Sequence, residues 1–169
     1  MKRALIVIDM QKDFVDGALA NLDAQQIAPA IVEEILQFDG TVYATKDTHS
    51  ENYMQSAEGK KLPVPHCIKG TDGHNIDDKI QAALDKKSAI VLEKPTFGML
   101  DWSALQGYDE ITLVGTCTDI CVVSNALILK ATYPDTTLRV ISSLCAGTTK
   151  ANHDAAIAVM RCCQVEIVE

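Results

Sequence analysis

Six cysteines stand at positions 67, 117, 121, 145, 162 and 163, and one of them sits where a thiol could work. Gly115-Thr116-Cys117-Thr118-Asp119-Ile120-Cys121 follows a β-branched run and precedes a helical pattern. Thr118 reads as a helix N-cap with Asp119 in the first turn, which places Cys121 inside that turn. Amide N–H groups and the helix dipole there favour a thiolate and can receive a developing oxyanion. Cys121 is therefore read as a nucleophile, whereas Cys117, in the approach turn, could equally be core. A thiolate attacking a carbonyl needs a proton acceptor that later donates to the leaving group. Asp9 fits that need: it closes the run Ala4-Leu5-Ile6-Val7-Ile8, where partial desolvation raises a carboxylate's pKa. Lys94, ahead of Pro95, supplies the compensating positive charge. Asp13 and Asp16 better suit the ordinary role of capping a turn.

A second constellation has metal-ligand chemistry. Asp47-Thr48-His49 sets a carboxylate and an imidazole two residues apart, on one side of an extended segment. His66 adds a second imidazole from the proline-stiffened loop Pro63-Val64-Pro65, and Glu58 could be a fourth ligand. Mixed N/O donors of this kind suit zinc, iron or manganese. His74, beside Gly73, reads as a surface residue, and His153 as a surface or packing residue within a helix. Cys67 is set aside, because neighbouring residues rarely both face one ion.

These residues need a scaffold that brings them together. Short apolar runs at Ala4–Asp9, Thr41–Thr45, Ala89–Leu92, Ile111–Gly115, Leu138–Ser142 and Val165–Val168 alternate with helical patterns at Ala24–Phe38, Ile76–Lys86, Asp119–Thr132 and Lys150–Cys162. Continuous apolar runs are expected of strands covered on both faces. Their alternation with helices predicts right-handed crossovers and a doubly wound, mostly parallel six-stranded sheet, a three-layer α/β sandwich of Rossmann-like type. In such sheets ligands bind beyond the carboxyl ends of the strands. Asp9, Asp47 with His49, Lys94 and Cys121 all fall at that edge.

Composition narrows the function classes. At about 150 residues per domain, 169 residues predict one domain spanning 1–169. A chain with 47% hydrophobic and 22% charged residues is not disordered. A net charge of −8 lacks the basic footprint of a nucleic-acid or anionic-membrane binder. No apolar run approaches the ~18 residues of a membrane span, and the first one ends too early for a signal peptide. The cysteines are too sparse for a disulfide scaffold, which favours a reducing, cytoplasmic compartment.

Taken together, these motifs resemble the isochorismatase-like cysteine hydrolases and, within them, the nicotinamidases. The likeness is carried by Ile8-Asp9-Met10-Gln11-Lys12-Asp13-Phe14, Asp47-x-His49, Pro65-His66-Cys67 with Gly70-Thr71-x-Gly73, Lys94, Gly115-x-x-Thr118-Asp119-x-Cys121-Val122, and Cys145-Ala146-Gly147 with His153. The resemblance implies a triad of Asp9, Lys94 and Cys121 and a cis peptide at Thr116–Cys117. It also implies an oxyanion hole from the N–H groups of Cys117 and Cys121. A divalent metal, zinc before iron or manganese, is implied at Asp47, His49 and His66, with Glu58 added as in some bacterial members. Phe14, Leu62 and Phe97 are candidate apolar walls for an aromatic ring, and all three also suit a core. The implied reaction converts nicotinamide to nicotinate and ammonia through a thioester, in NAD salvage, by a homo-oligomer whose partner is a small amide. Two other readings are a metal-independent hydrolase of a carbamoyl or ureido compound, and a non-catalytic α/β binding or thiol redox module.

Overall fold

The computed structural model describes residues 1–169. Six strands, β1 (Arg3–Ile8), β2 (Thr41–Asp47), β3 (Ile90–Lys94), β4 (Glu110–Thr116), β5 (Thr137–Ala146) and β6 (Glu166–Val168), form one sheet in the order β3-β2-β1-β4-β5-β6. Every neighbouring pair is parallel. The order runs outward in both directions from β1 and β4, which places the topological switch between these two strands. Helices α1 (Lys12–Val15), α2 (Leu22–Gln37), α3 (Ala57–Lys61), α4 (Asp78–Lys86), α5 (Val123–Thr132) and α6 (Lys150–Cys162) lie in the crossovers.

Alternation along β1 divides the core between the two faces. Ala4, Ile6 and Ile8 pack with Val122, Ala126, Leu129, Ile157 and Met160, beneath α5 and α6. Leu5 and Val7 pack with Ile31, Ile35, Ile80 and Leu84, beneath α2 and α4. Burying a side chain of this size contributes about 1.5–3 kcal/mol, so the inner strands are held hard from both sides. Trp102 is buried in the first of these clusters and belongs to the core rather than to the site. No helix is long and apolar enough to cross a membrane.

Three expectations about the elements need correction. β3 is not covered on both faces: as an edge strand it leaves Ile90 and Val91 exposed. The helix read over Ala24–Phe38 is α2, Leu22–Gln37, which buries Ala24, Ala28, Ile31 and Ile35. Its start is set two residues early because the Asn21 side chain accepts from the N–H groups of Asp23 and Ala24 at 2.9 and 3.3 Å. Thr118 is not a cap. A π-helical turn, Thr118–Val122, intervenes before α5, and the Thr118 hydroxyl lies 2.8 Å from His153 Nδ1 instead.

Candidate active site

Asp9 follows directly on β1, Asp47 and Lys94 end β2 and β3, and Cys121 lies just beyond β4 in the π-helical turn. Parallel pairing sets Asp47 against Lys94 in register and Ile8 against Gly115. Gly115 has a φ of 120°, and a Cβ there would collide with the Ile8 carbonyl. Only glycine lets β4 approach β1 so closely and then leave toward the thiol. The Thr116–Cys117 peptide that follows is cis.

Lys94 is the hub. Its Nζ lies 2.6 Å from Asp9 Oδ2, 3.6 Å from Cys121 Sγ and 3.6 Å from Asp47 Oδ1, and donates to the Thr96 carbonyl at 3.1 Å. Asp9 adopts a left-handed φ of 47° and is fully buried. Its Oδ1 accepts from the Thr45 hydroxyl at 2.7 Å, while Oδ2 has no partner besides the lysine. Burial raises the Asp9 pKa, and the Lys94 charge only partly offsets this. Burial alone would lower that of Lys94, but Asp9, Cys121 and Asp47 together drive it upward. The thiol does not match the expectation of a lowered pKa: burial and then the Asp9 charge push Cys121 well above the usual value. Asp9, Lys94 and Cys121 thus meet as one buried group of proton-exchanging side chains.

A few ångströms away, Asp47, His49, Glu58 and His66 offer ligand atoms that all lie within 4.8 Å of one another. His49 Nε2 is 2.9 Å from Asp47 Oδ2, and His66 Nε2 is 3.7 Å from both Asp47 Oδ2 and Glu58 Oε1. The Val64 carbonyl, 2.8 Å from His66 Nδ1, accepts that N–H, which leaves Nε2 as the free lone pair facing the cluster. Asp47 Oδ1 is buried without a hydrogen-bond partner. Burial would raise the Asp47 pKa, but His49, His66 and Lys94 outweigh it and hold the carboxylate well below its usual range. Two imidazoles and two carboxylates with their ligand atoms this close fit a borderline divalent cation such as zinc. Cys67 stays out of the cluster, its buried thiol shifted far upward.

Cys121 from the first constellation and Asp47, Glu58 and His66 from the second line one cavity of about 540 Å³, together with Cys117. Phe14, Leu62 and Phe97 line it too: Phe14 is buried against the His66 ring, while the other two are partly exposed toward the mouth.

Several positioning residues escape a reading of the sequence. Gln11 is fully buried, and its side-chain amide pairs with the Asp47 peptide as a neighbouring strand would. Oε1 accepts from the Asp47 N–H at 2.7 Å, and Nε2 donates to the Asp47 and His74 carbonyls at 2.9 Å each. Gln11→Ala is expected to destabilise the fold by roughly 1–3 kcal/mol for each group stranded, read as a drop in the urea midpoint. An unchanged midpoint would mean that water replaces the amide. Asp13 is more than a turn cap. Its Oδ2 accepts the Cys67 N–H at 2.8 Å, fixing the residue after His66, and a Cβ at Gly73 would strike this carboxylate. His74 is buried rather than at the surface, with Nε2 2.8 Å from the Thr48 hydroxyl. Behind the thiol, Asp119 accepts from the Thr148 N–H and hydroxyl at 2.8 and 2.6 Å, and Thr116 donates to the Ala146 carbonyl at 3.1 Å.

The sequence pattern of the isochorismatase domain matches residues 3–169. The nicotinamidase/pyrazinamidase of Mycobacterium tuberculosis is 30% identical over 184 residues, covering 98% of each chain. The crystal structure of the Bacillus subtilis nicotinamidase/pyrazinamidase PncA has a TM-score of 0.89 at 25% identity, covering 100% of both chains. That of the Pyrococcus horikoshii pyrazinamidase in complex with zinc shares the fold, with a TM-score of 0.79 at 23% identity over 100% of this chain and 99% of that one.

Proposed function

The chain belongs to the isochorismatase family, and from that premise we propose that it is a cysteine-dependent, metal-assisted nicotinamidase. It hydrolyses the carboxamide of nicotinamide to nicotinate and ammonia. The observation that carries this reading is that the Asp9–Lys94–Cys121 group and the Asp47–His49–Glu58–His66 cluster meet beside a single cavity, into which Cys121, Asp47, Glu58 and His66 face. A pyridine carboxamide has two anchors of matching kinds, an electrophilic carbon and a ring nitrogen. A divalent ion on the cluster would supply a Lewis-acid contact for that nitrogen.

The chain's own residues then carry the steps. Asp9 takes the Cys121 proton as sulfur attacks the amide carbon, and Lys94 balances the charge that passes between them. The N–H groups of Cys117 and Cys121 receive the tetrahedral oxyanion. Asp9 returns the proton to the departing nitrogen, which leaves as ammonia. Water then attacks the thioester, its proton passing through Asp9 to restore the thiol, and nicotinate departs.

The cavity also argues about charge. No lysine or arginine is among its lining residues, whereas Asp23, Asp47 and Glu58 are. Carboxylate-bearing substrates, ureido acids among them, would find no cationic side chain in the lining. A neutral aromatic amide meets apolar walls. The reading also treats 1–169 as one domain, working in a reducing cytoplasm as a homo-oligomer. The uncovered apolar edge at β3 supports association between copies.

The test is ammonia release from nicotinamide by the purified protein, with and without a chelator. Turnover should require the ion, disappear on chelation and return with added zinc, iron or manganese. His49→Ala should lower metal content and raise KM by at least about tenfold, the loss of one good ligand or its orienting contact. Full activity in metal-free protein would contradict the role given to the cluster.

A further inference from the structure

The cavity is larger than its proposed substrate requires. About 540 Å³ falls in the ~300–1,000 Å³ range of sites that enclose drug-sized molecules, and nicotinamide is a single ring with one small group. The floor is polar and buried: Cys121, Asp47 and His66. The outer part is apolar and open, built from Leu22 at the start of α2, Leu62 after α3, Phe97 after β3 and Ile120 in the π-helical turn. Leu22, Leu62 and Phe97 are 72%, 38% and 40% exposed. Three large apolar side chains from separate segments converge on the mouth of one cavity, continuous with the reacting groups.

We propose that this apolar mouth is a second subsite, which binds an apolar substituent on the ring of the amide. The preferred substrates are then ring-extended, uncharged aryl amides rather than nicotinamide itself. The inference rests on the nicotinamidase reading, which also fixes the position of the substituent. The carboxamide carbon is attached to ring carbon 3 and must meet Cys121, while ring nitrogen 1 faces the Asp47–His66 cluster. Carbon 2 lies between these two anchors and so faces the floor. Carbon 5, across the ring from carbon 2, points to the mouth. Asp23 at the rim, with no cation near it in the lining, sets the charge preference: an anionic substituent is repelled.

The experiment compares nicotinamide, 5-phenylnicotinamide and 5-carboxynicotinamide as substrates of the zinc-loaded full chain. Calorimetry of 5-phenylnicotinamide binding to the Cys121→Ala protein gives a readout independent of turnover. The KM for 5-phenylnicotinamide should be at least tenfold below that for nicotinamide, with kcat within a few-fold, and the calorimetric affinity should show the same gain. The 5-carboxy compound should be a poorer substrate than nicotinamide. Leu22→Asp, at an exposed position, should reduce the ratio of the phenyl to the parent kcat/KM at least fivefold. A 5-phenyl compound that binds no more tightly than nicotinamide overturns the subsite, even when nicotinamide is turned over well. So does a Leu22→Asp protein that keeps the ratio while a sizing column shows it changed from oligomer to monomer, because the mouth is then an interface between copies. If neither amide is hydrolysed, the nicotinamidase reading fails, and the calorimetric comparison still decides whether the mouth binds the aryl group.

Discussion

Cys121→Ser is expected to reduce nicotinamide turnover by roughly 10⁴-fold or more while leaving the fold intact. The substitution changes one atom in a side chain that is buried within the core beneath α5 and α6, so the packing around it persists. What changes is nucleophilicity. Burial and then the Asp9 charge push the Cys121 thiol pKa well above its usual value, so the proposed attack needs a proton acceptor, and Asp9 is the expected one. A hydroxyl starts from a far higher pKa than a thiol, and the same Asp9 and Lys94 cannot make up that difference. Lys94 Nζ, 3.6 Å from the sulfur, can stabilise a thiolate but does not remove its proton. Thermal unfolding within a few degrees of the native protein, with metal content unchanged, would show that only the chemistry was removed. Turnover above about a hundredth of native in such a protein would move the nucleophile elsewhere, and Cys117 would be the next thiol to test.

How far the site could be read from sequence depends on whether each residue's neighbours are local. Asp9, Asp47, Lys94 and Cys121 were legible because each ends or closely follows an apolar run, and a parallel sheet gathers strand ends at one edge whatever lies between them. His66 and Glu58 come from the long β2–β3 crossover, where no periodicity shows which way a side chain turns. Their donor chemistry makes them candidate ligands without showing where they sit, and the distances of the cluster show that they meet. Gln11 was not legible, because its role is to imitate a strand edge for Asp47, and a buried glutamine leaves no periodic mark. Thr118 was misread for a related reason. A threonine ahead of a helical pattern usually caps it, but the π-helical turn moves the start of α5 and frees the hydroxyl for His153. His74 looked exposed beside a glycine, yet Gly73 serves to admit the Asp13 carboxylate, and this close packing buries its neighbour.

Asp9→Asn should have two separable effects, one on stability and one on turnover. Asparagine keeps an oxygen for the Thr45 hydroxyl but removes the charge that faces Lys94 at 2.6 Å. The lysine then remains fully buried, with Asp47 Oδ1 and Cys121 Sγ each at 3.6 Å and the Thr96 carbonyl at 3.1 Å as its polar partners. Removing one member of a buried pair costs about 3–5 kcal/mol, because the other charge is left uncompensated. Turnover should fall by about 10²–10⁴-fold from loss of the proton acceptor and donor. The pH profile separates this chemical loss from mere weakening of the fold. In the native protein burial, only partly offset by Lys94, raises the Asp9 pKa above the ordinary carboxylate range. Activity should therefore decline as the pH falls through that raised value, since protonated Asp9 accepts nothing. That acid limb should vanish in the residual activity of Asp9→Asn. Combining Asp9→Asn with Lys94→Met removes both charges and should recover most of the lost stability in urea unfolding, with turnover no better than in the single variant. A double variant that regains activity along with stability would reduce Asp9 to a counter-ion for the lysine, and the proton would then need another acceptor within reach of the sulfur.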